Sequence, residues 1–328
     1  MFISKHKDAF GAGPVCRVLA GSGWQIAPGT CYAAVRRPPS ARAVRDAQIL
    51  AGIARMRADY EEVYGARKTW LELNRRGIPA ARCTVERLMR ENGLRGARRG
   101  RMIRTTIPGK GPGHERAPDL ICRDFTAEAP DRRWVADFTQ VATLAGTVYI
   151  AFAVDIFSRM IVGWAAARHK RAKLVLDALD MALWHRDRAG HRPRPGLVHH
   201  SDAGSQYTCI AFTAHLAAEN IVPSIGTVGD ALDNALMESA IGLYKTELIA
   251  RRGPWRDLAH VEMETAGYCH WFNFRRIHSA IGDITPAERE AAWYAAVNGE
   301  GLHEARRRRH APPRFPERSC RAGVRAPR

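Results

Sequence analysis

Three carboxylates, Asp137, Asp202 and Glu238, stand where acidic side chains need a reason to be. Asp137 falls in the middle of a predicted strand, among Trp134, Val135, Ala136 and Phe138. A carboxylate there is costly unless it is paired or binds a metal. Asp202 follows the end of another predicted strand. Glu238 lies in a predicted helix further on, with 35 residues (203–237) between the two. Two acids at that separation arise readily by chance, so position rather than spacing carries the argument. Three such carboxylates suit phosphoryl transfer. Mg²⁺ or Mn²⁺ takes hard oxygen ligands, and two ions roughly 3.5–4 Å apart activate a nucleophile and stabilise a leaving oxygen on one phosphate. Asp137, central in the sheet, is the natural bridge between two ions, with Asp202 and Glu238 each holding one.

The elements that must position these side chains follow from residue patterning. Residues 135–141, 147–156 and 160–165 read as three strands rich in β-branched and aromatic side chains. The segment Asp155-Ile156-Phe157-Ser158-Arg159 turns between the second and third, so the three run antiparallel. Residues 172–187 read as a helix with Leu174, Ala178 and Met181 along an apolar stripe. Residues 196–200 form a short strand, 210–220 a helix, 222–225 a fifth strand, and 232–251 and 258–274 two long helices. Three strands, helix, strand, helix, strand and then helices is the order of a ribonuclease-H-like α/β layer.

The surplus of positive charge points to a polyanionic partner. Among 328 residues, 51 Lys and Arg oppose 33 Asp and Glu, a net charge of +18, and nucleic acid is the first candidate. Residues 1–95 read as helical, with segments 14–20, 28–35, 41–63, 66–75 and 84–91. The first two, around a glycine turn, have the outline of a helix-turn-helix. Between residues 95 and 116, Arg95, Arg98, Arg99, Arg101, Arg104, Lys110 and Arg116 oppose Glu115 alone, a local net of +6. Pro and Gly deny that stretch a regular fold, leaving a basic linker suited to a phosphate backbone. Residues 301–328 hold nine Arg against Glu304 and Glu317, a net of +7, and are too polar to build a core. No apolar run of about 18 residues exists to span a membrane. The seven cysteines are scattered without a CxxC pair, so they outline neither a zinc ribbon nor a disulfide framework, as suits a cytoplasmic protein. GxSxG, P-loop, HExxH and dinucleotide glycine patterns are absent.

Several dispersed motifs carry a resemblance. They are Trp134-Val135-Ala136-Asp137-Phe138-Thr139; Val154-Asp155-Ile156-Phe157-Ser158-Arg159 with Ile161-Val162-Gly163-Trp164; and His200-Ser201-Asp202-Ala203-Gly204-Ser205-Gln206-Tyr207. Asp233-Asn234-Ala235 with Glu238-Ser239 follows, then Lys245-Thr246-Glu247, and finally Trp271-Phe272-Asn273 with Arg275-Arg276 and His278. In these, in their order, the chain resembles the second-reading-frame products of bacterial insertion-sequence transposases that share the retroviral-integrase-type DDE catalytic core. In the N-terminal half, Tyr64-Gly65-Ala66-Arg67, Gly77-Ile78, Val85-Glu86-Arg87-Leu88-Met89-Arg90 and Gly93-Leu94 resemble that family's small helical DNA-binding module.

The resemblance implies an organisation and a site. Residues 1–40 form a short helical segment, 41–95 the DNA-binding module, 96–130 the basic linker, 131–295 the integrase core, a five-stranded mixed sheet flanked by helices, and 296–328 a basic, disordered tail. Asp137, Asp202 and Glu238 match the family's metal-binding triad for two Mg²⁺ or Mn²⁺ ions. Lys245, two helical turns past Glu238 on the same face, matches a basic residue that contacts the transposon end. Gly204 shapes the turn at Asp202 with a positive φ. Gln206 and Tyr207 either touch DNA or cap and pack the next helix. Asn234 contacts a DNA end, Asp233 caps the Glu238 helix, and Asp155 is a structural acid pairing with Arg159. Arg82, Arg87 and Arg90 lie on a helix that enters a major groove, and Arg98 and Arg99 meet phosphates from the linker. The implied partners are the element's terminal repeats, target DNA, further copies of the chain and the product of an upstream frame, with no membrane. The implied activity is metal-dependent 3′-end cleavage and strand transfer. Leu232, where relatives carry an aromatic, and the tail depart from the pattern. A catalytically inactive DNA-binding remnant and a simple metal nuclease are the rival readings.

Overall fold

The computed structural model describes residues 2–59, 62–98, 117–226 and 231–299. The chain divides into two compact units, Met1–Arg95 and Gly96–Arg328.

The first unit is all helical: α1 (Phe2–Phe10), α2 (Ala12–Gly21), α3 (Pro28–Arg36), α4 (Ala41–Asp59), α5 (Ala66–Arg75) and α6 (Arg82–Glu91). Helix α1, unforeseen in a stretch of mixed charge, is held because Ile3 buries against Val15 and Cys16. Helices α4 to α6 share a core of Ile49, Ile53, Leu73, Val85, Leu88 and Met89. Helix α5 ends in a Schellman turn: Gly77, at φ 73°, donates to Asn74 O, and Ile78 donates to Leu73 O at 2.9 Å. The turn into α6 is pinned by the Trp70 indole N–H on Ala80 O at 2.9 Å.

The second unit is built on a five-stranded mixed sheet in the order β3-β2-β1-β4-β5. Strands β1 (Arg133–Thr143), β2 (Gly146–Asp155) and β3 (Ile161–Ala167) run antiparallel as the patterning predicts, while β4 (Val198–Ser201) and β5 (Val222–Ile225) run parallel to β1. One face is covered by α7 (Ala172–Arg188) and α8 (Ile210–Ala218), through Leu174, Val175, Leu179 and Phe212 packed against Trp134 and Ala136. The other face carries α9 (Ala235–Tyr244) and α11 (Leu258–Phe274), with Met237, Ile241, Val261 and Phe272 packed against Val135 and Val154. Alternate residues of β1 thus feed two cores, as the period of two requires. Helices on both faces of a sheet in this order make the ribonuclease-H-like architecture. No helix among the described residues is long and apolar enough to cross a membrane.

Three expectations change here. The predicted helix 232–251 is broken into a 3₁₀ turn (Ala231–Asn234), α9, a π-helical turn (Lys245–Ile249) and α10 (Ala250–Arg252). Helix α12 (Pro286–Gly299) was not foreseen. Asp155 does not pair with Arg159. It is fully buried, accepting from Asp131 N at 2.9 Å and from both Ser158 N and Ser158 Oγ at 2.8 Å, while the Arg159 guanidinium donates to Phe125 O. Backbone and hydroxyl donors satisfy the carboxylate instead of the guanidinium. Asp155 belongs to a buried cluster in which Arg186 lies 2.9 Å from Asp131 and donates with both terminal nitrogens to Glu290 at 2.7 Å. Ser158 Oγ, 2.7 Å from Glu290 Oε1, ties α12 to the end of β2.

Candidate active site

Asp137 and Asp202 meet because β1 and β4 are parallel neighbours. Their last register pair is Ala136 with Ser201. Each acid is the next residue along, so the two stand side by side, Asp137 in the middle of β1 and Asp202 just past the end of β4. Glu238 approaches from the face of α9. The Asn234 side-chain amide donates to Ala136 O at 3.2 Å, fixing the start of α9 to the residue before Asp137. Glu238 lies four residues later, in the first turn of α9 and on the same side of the helix.

The electrostatics reflect this gathering of like charge. Burial pushes the Asp137 carboxyl up to about 8; Asp202 and then Glu238 push the same way, against the Phe138 amide and the Lys245 charge. The Phe138 N–H donates to Asp137 Oδ1 at 2.7 Å. Desolvation also raises Asp202, opposed by the Gly204 N–H and His200. Asp202 stands at the surface. No group of three His, Cys, Asp or Glu side chains among the described residues is already drawn close enough to hold a metal ion. The donor chemistry nonetheless fits a hard divalent cation: the groups are oxygens, they repel one another, and positive charge between them relieves that repulsion.

Behind the carboxylates, His200 braces the turn that leads to Glu238. Its Nε2 lies 3.0 Å from Asp233 O, and its Nδ1 lies 2.8 Å from Ser224 Oγ, which itself accepts from Leu120 N. A carbonyl only accepts, so Nε2 carries the proton and Nδ1 accepts from the serine. Burial lowers the pKa of His200, consistent with this neutral form. His200 therefore links the strand leading to Asp202 with the segment leading to Glu238. The sequence shows it only as one of two adjacent histidines.

The predicted neighbours settle differently. Gly204 does not have a positive φ. Its lack of a side chain matters for another reason: a Cβ there would lie 2.9 Å from Asp202 Oδ1, to which its N–H donates at 3.1 Å. Asn234 is turned inward, 7% exposed, with its Oδ1 buried and unpartnered, a brace rather than a DNA contact in this conformation. Asp233 does not cap α9, which begins at Asn234 without a side-chain cap; it accepts from Arg123 Nε at 2.9 Å. Tyr207 packs on Phe212 and His199 with a buried, unpartnered hydroxyl, while the Gln206 amide donates to Lys170 O at 2.9 Å. Lys245 is exposed at the first position of the π turn, and its charge acts on Asp137.

On α6, Arg87 is committed to both Asp46 oxygens at 2.8 Å and to Glu91, and Arg82 pairs with Glu86 at 2.7 Å; Arg90 is exposed. Arg98 is exposed. Arg99, most of the basic linker, and the tail from residue 300 lie outside the described residues, and nothing is described of the Leu232 side chain. The exposed run Arg168-His169-Lys170-Arg171, joined to the Asp202 loop by Gln206, was missed by sequence reasoning, although four successive basic residues were there to be seen.

Comparison with known proteins agrees with this architecture. Residues 127–231 and 219–286 match family models described as integrase core domain, and 44–102 match one described as HTH-like domain. The chain is 49% identical over 270 residues to a putative transposase for insertion sequence element IS986/IS6110 of Mycobacterium tuberculosis, covering 82% of this chain and 96% of that one. It is 44% identical over 305 residues to the transposase for insertion sequence element IS629 of Shigella sonnei, covering 92% and 98%. Among solved structures, the simian T-cell lymphotropic virus intasome aligns with a TM-score of 0.43 at 14% identity, covering 82% of this chain and 78% of that one.

Proposed function

This chain belongs to the insertion-sequence transposases that combine an HTH-like domain with an integrase core, and from that premise we propose that it cuts the 3′ ends of its element and joins them to a target. The observation that carries the reading is the meeting of Asp137 and Asp202 on neighbouring parallel strands, with burial and then the like charge of Asp202 raising Asp137. A protein that only binds DNA has no use for that costly arrangement.

In this reading Asp137, Asp202 and Glu238 hold divalent metal ions. When bound, such ions polarise a phosphodiester, lower the pKa of a water and stabilise the departing oxygen. In the first reaction, water bonds to phosphorus at the element's end, the P–O3′ bond breaks, and O3′ leaves as a hydroxyl. In the second, that hydroxyl oxygen bonds to a target phosphorus and the target's own P–O3′ bond breaks. The chain's residues orient rather than react covalently. Asn234 holds α9 against Ala136, His200 fixes the segment before it, and Lys245 supplies positive charge to the phosphate at the element's end. Helices α4 to α6, with Arg90 exposed, bind the element's terminal repeats. Joining two ends calls for at least two copies of the chain.

The test is a joining assay on duplexes carrying the flanking terminal repeats, with Mg²⁺ or Mn²⁺, comparing the wild type with Asp202→Asn. The reading expects cleaved and joined products from the wild type and a loss of at least about 100-fold in the variant, with DNA binding retained. Cut but unjoined ends would identify a nuclease. Equal DNA binding without either product would identify a binder.

A further inference from the structure

We propose that the loop between β3 and α7, Arg168-His169-Lys170-Arg171, is the surface that holds the target duplex by its phosphates. This rests on the transposase reading above and gives its second substrate a place. The four residues are exposed. No Asp or Glu occurs between Asp155 and Asp177 in the chain. Lys173 is already paired with Asp177 at 2.7 Å, and the first turn of α7 holds no acid. Three permanent cations therefore face solvent together at Arg168, Lys170 and Arg171.

The register carries β3 past the level of Asp137 before this loop begins. Phe152 of β2 stands between Asp137 of β1 and Trp164 of β3; Tyr149 stands between Gln140 and Ala167. Strand β3 therefore runs in the direction of β1 and delivers Arg168 beyond the level of Asp137, on the side where Asp202 emerges. The Gln206 amide, four residues past Asp202, donates to Lys170 O at 2.9 Å and fastens the loop to the carboxylate turn.

Placement also separates this charge from Lys245. Tyr244 and Leu248, beside Lys245, pack in the core that contains Val135, whereas Leu174 and Val175, just after the loop, pack in the core that contains Ala136. Lys245 and the basic loop thus belong to opposite faces of the sheet. Strand transfer brings two duplexes to one set of carboxylates, and two basic surfaces on opposite faces serve that need. With Lys245 on the element end, the Arg168–Arg171 side is left for the target. Phosphate contacts of this kind carry no sequence information, as suits a duplex of varied sequence.

The test compares the full-length wild type with the Arg168→Ala/Lys170→Ala/Arg171→Ala variant in two arms. In the first, labelled element ends are joined to increasing amounts of a random-sequence duplex. The variant should need at least about tenfold more target for half-maximal joining, with end binding and end cleavage within about twofold of wild type. In the second, which needs no catalysis, binding to the random-sequence duplex is followed against salt, and the log–log slope should shrink by about 2 to 3, roughly 0.9 per lost phosphate contact. Unchanged target dependence and slope would overturn the proposal. Weakened end binding with unchanged target dependence would assign the loop to the element end and overturn it as well. If the wild type joins nothing, the transposase reading fails on its own, and the salt arm still decides whether the loop holds DNA.

Discussion

The Glu247 carboxylate grips the Arg276 guanidinium with both oxygens, Oε1 to Nη2 at 2.6 Å and Oε2 to Nε at 2.8 Å, from within the π-helical turn whose first residue is Lys245. Both side chains are buried, at 5% and 4% exposure. π turns interrupt α-helices mostly at functional sites. Here the ion pair anchors the turn two residues after the lysine. Arg276 also lies near the ring faces of Trp271 and Phe272, so α11 and the segment after it hold the pair in place.

Breaking this pair on one side leaves a buried charge without its counter-ion. Arg276→Met and Glu247→Leu should each lower the unfolding free energy by about 3–5 kcal/mol in urea titrations, and the double variant should recover most of that loss. Additive losses in the double variant would show that the two residues stabilise the fold independently.

Gly204→Ala tests the carboxylate turn. The added Cβ would crowd Asp202 Oδ1, a movable side-chain oxygen, more than any backbone atom. The fold should therefore tolerate it, with melting nearly unchanged. The displaced carboxylate should weaken Mn²⁺ binding by about 10- to 100-fold, read by calorimetry. Unaltered Mn²⁺ affinity would remove Asp202 from the metal set.

The Asp131 cluster gives stability a pH dependence. Burial raises Asp131 from 3.8 to about 7, aided by Asp155 and Glu290 and opposed by Arg186. Arg186 itself is held protonated by Glu290 and Asp131 despite its burial. Three acids share one guanidinium, so the folded state retains a proton that the unfolded chain releases. The contribution of Asp131 is full below about pH 4 and is lost as pH rises through about 7. Between pH 5 and 8 the wild type should lose more stability than Asp131→Asn in parallel urea titrations; identical slopes would remove Asp131 as the source.

The helical module separates two arginines by role. Arg87, held by Asp46 and Glu91, should act through stability: Arg87→Ala lowers the melting temperature and barely alters the salt dependence of binding to the terminal repeat. Arg90→Ala should leave melting unchanged and reduce the log–log salt slope by about 1. The reverse result would mean that Arg87 leaves Asp46 when DNA arrives.

The sheet was legible because its first three strands are long and apolar and all five are bounded by turn residues, and five strands with their order of helices determine the architecture. The carboxylates could be singled out because a strand centre is a poor place for Asp137. Side-chain commitments were less visible. Asn234 looks like a polar helix-terminal residue, and only β1 beside it turns its amide inward. Asp155 and Arg159 look like opposite charges closing one turn, and only the folded partners, Asp131 and Ser158 for the acid and Phe125 O for the arginine, send them apart. The π turn leaves no periodic signature, since its register depends on Glu247 finding Arg276, 29 residues further on.

Gly163 has a mechanical consequence. A Cβ at this position of β3 would lie 2.1 Å from Ala178 O, so strand and helix α7 touch backbone to backbone. The basic loop spans the short gap between two elements clamped together this tightly, and Gln206 adds a third fastening. The loop is thus held at both ends and at its middle. Its backbone entropy is surrendered when the chain folds, so an arriving duplex meets cations already in position and bears only the cost of ordering their side chains.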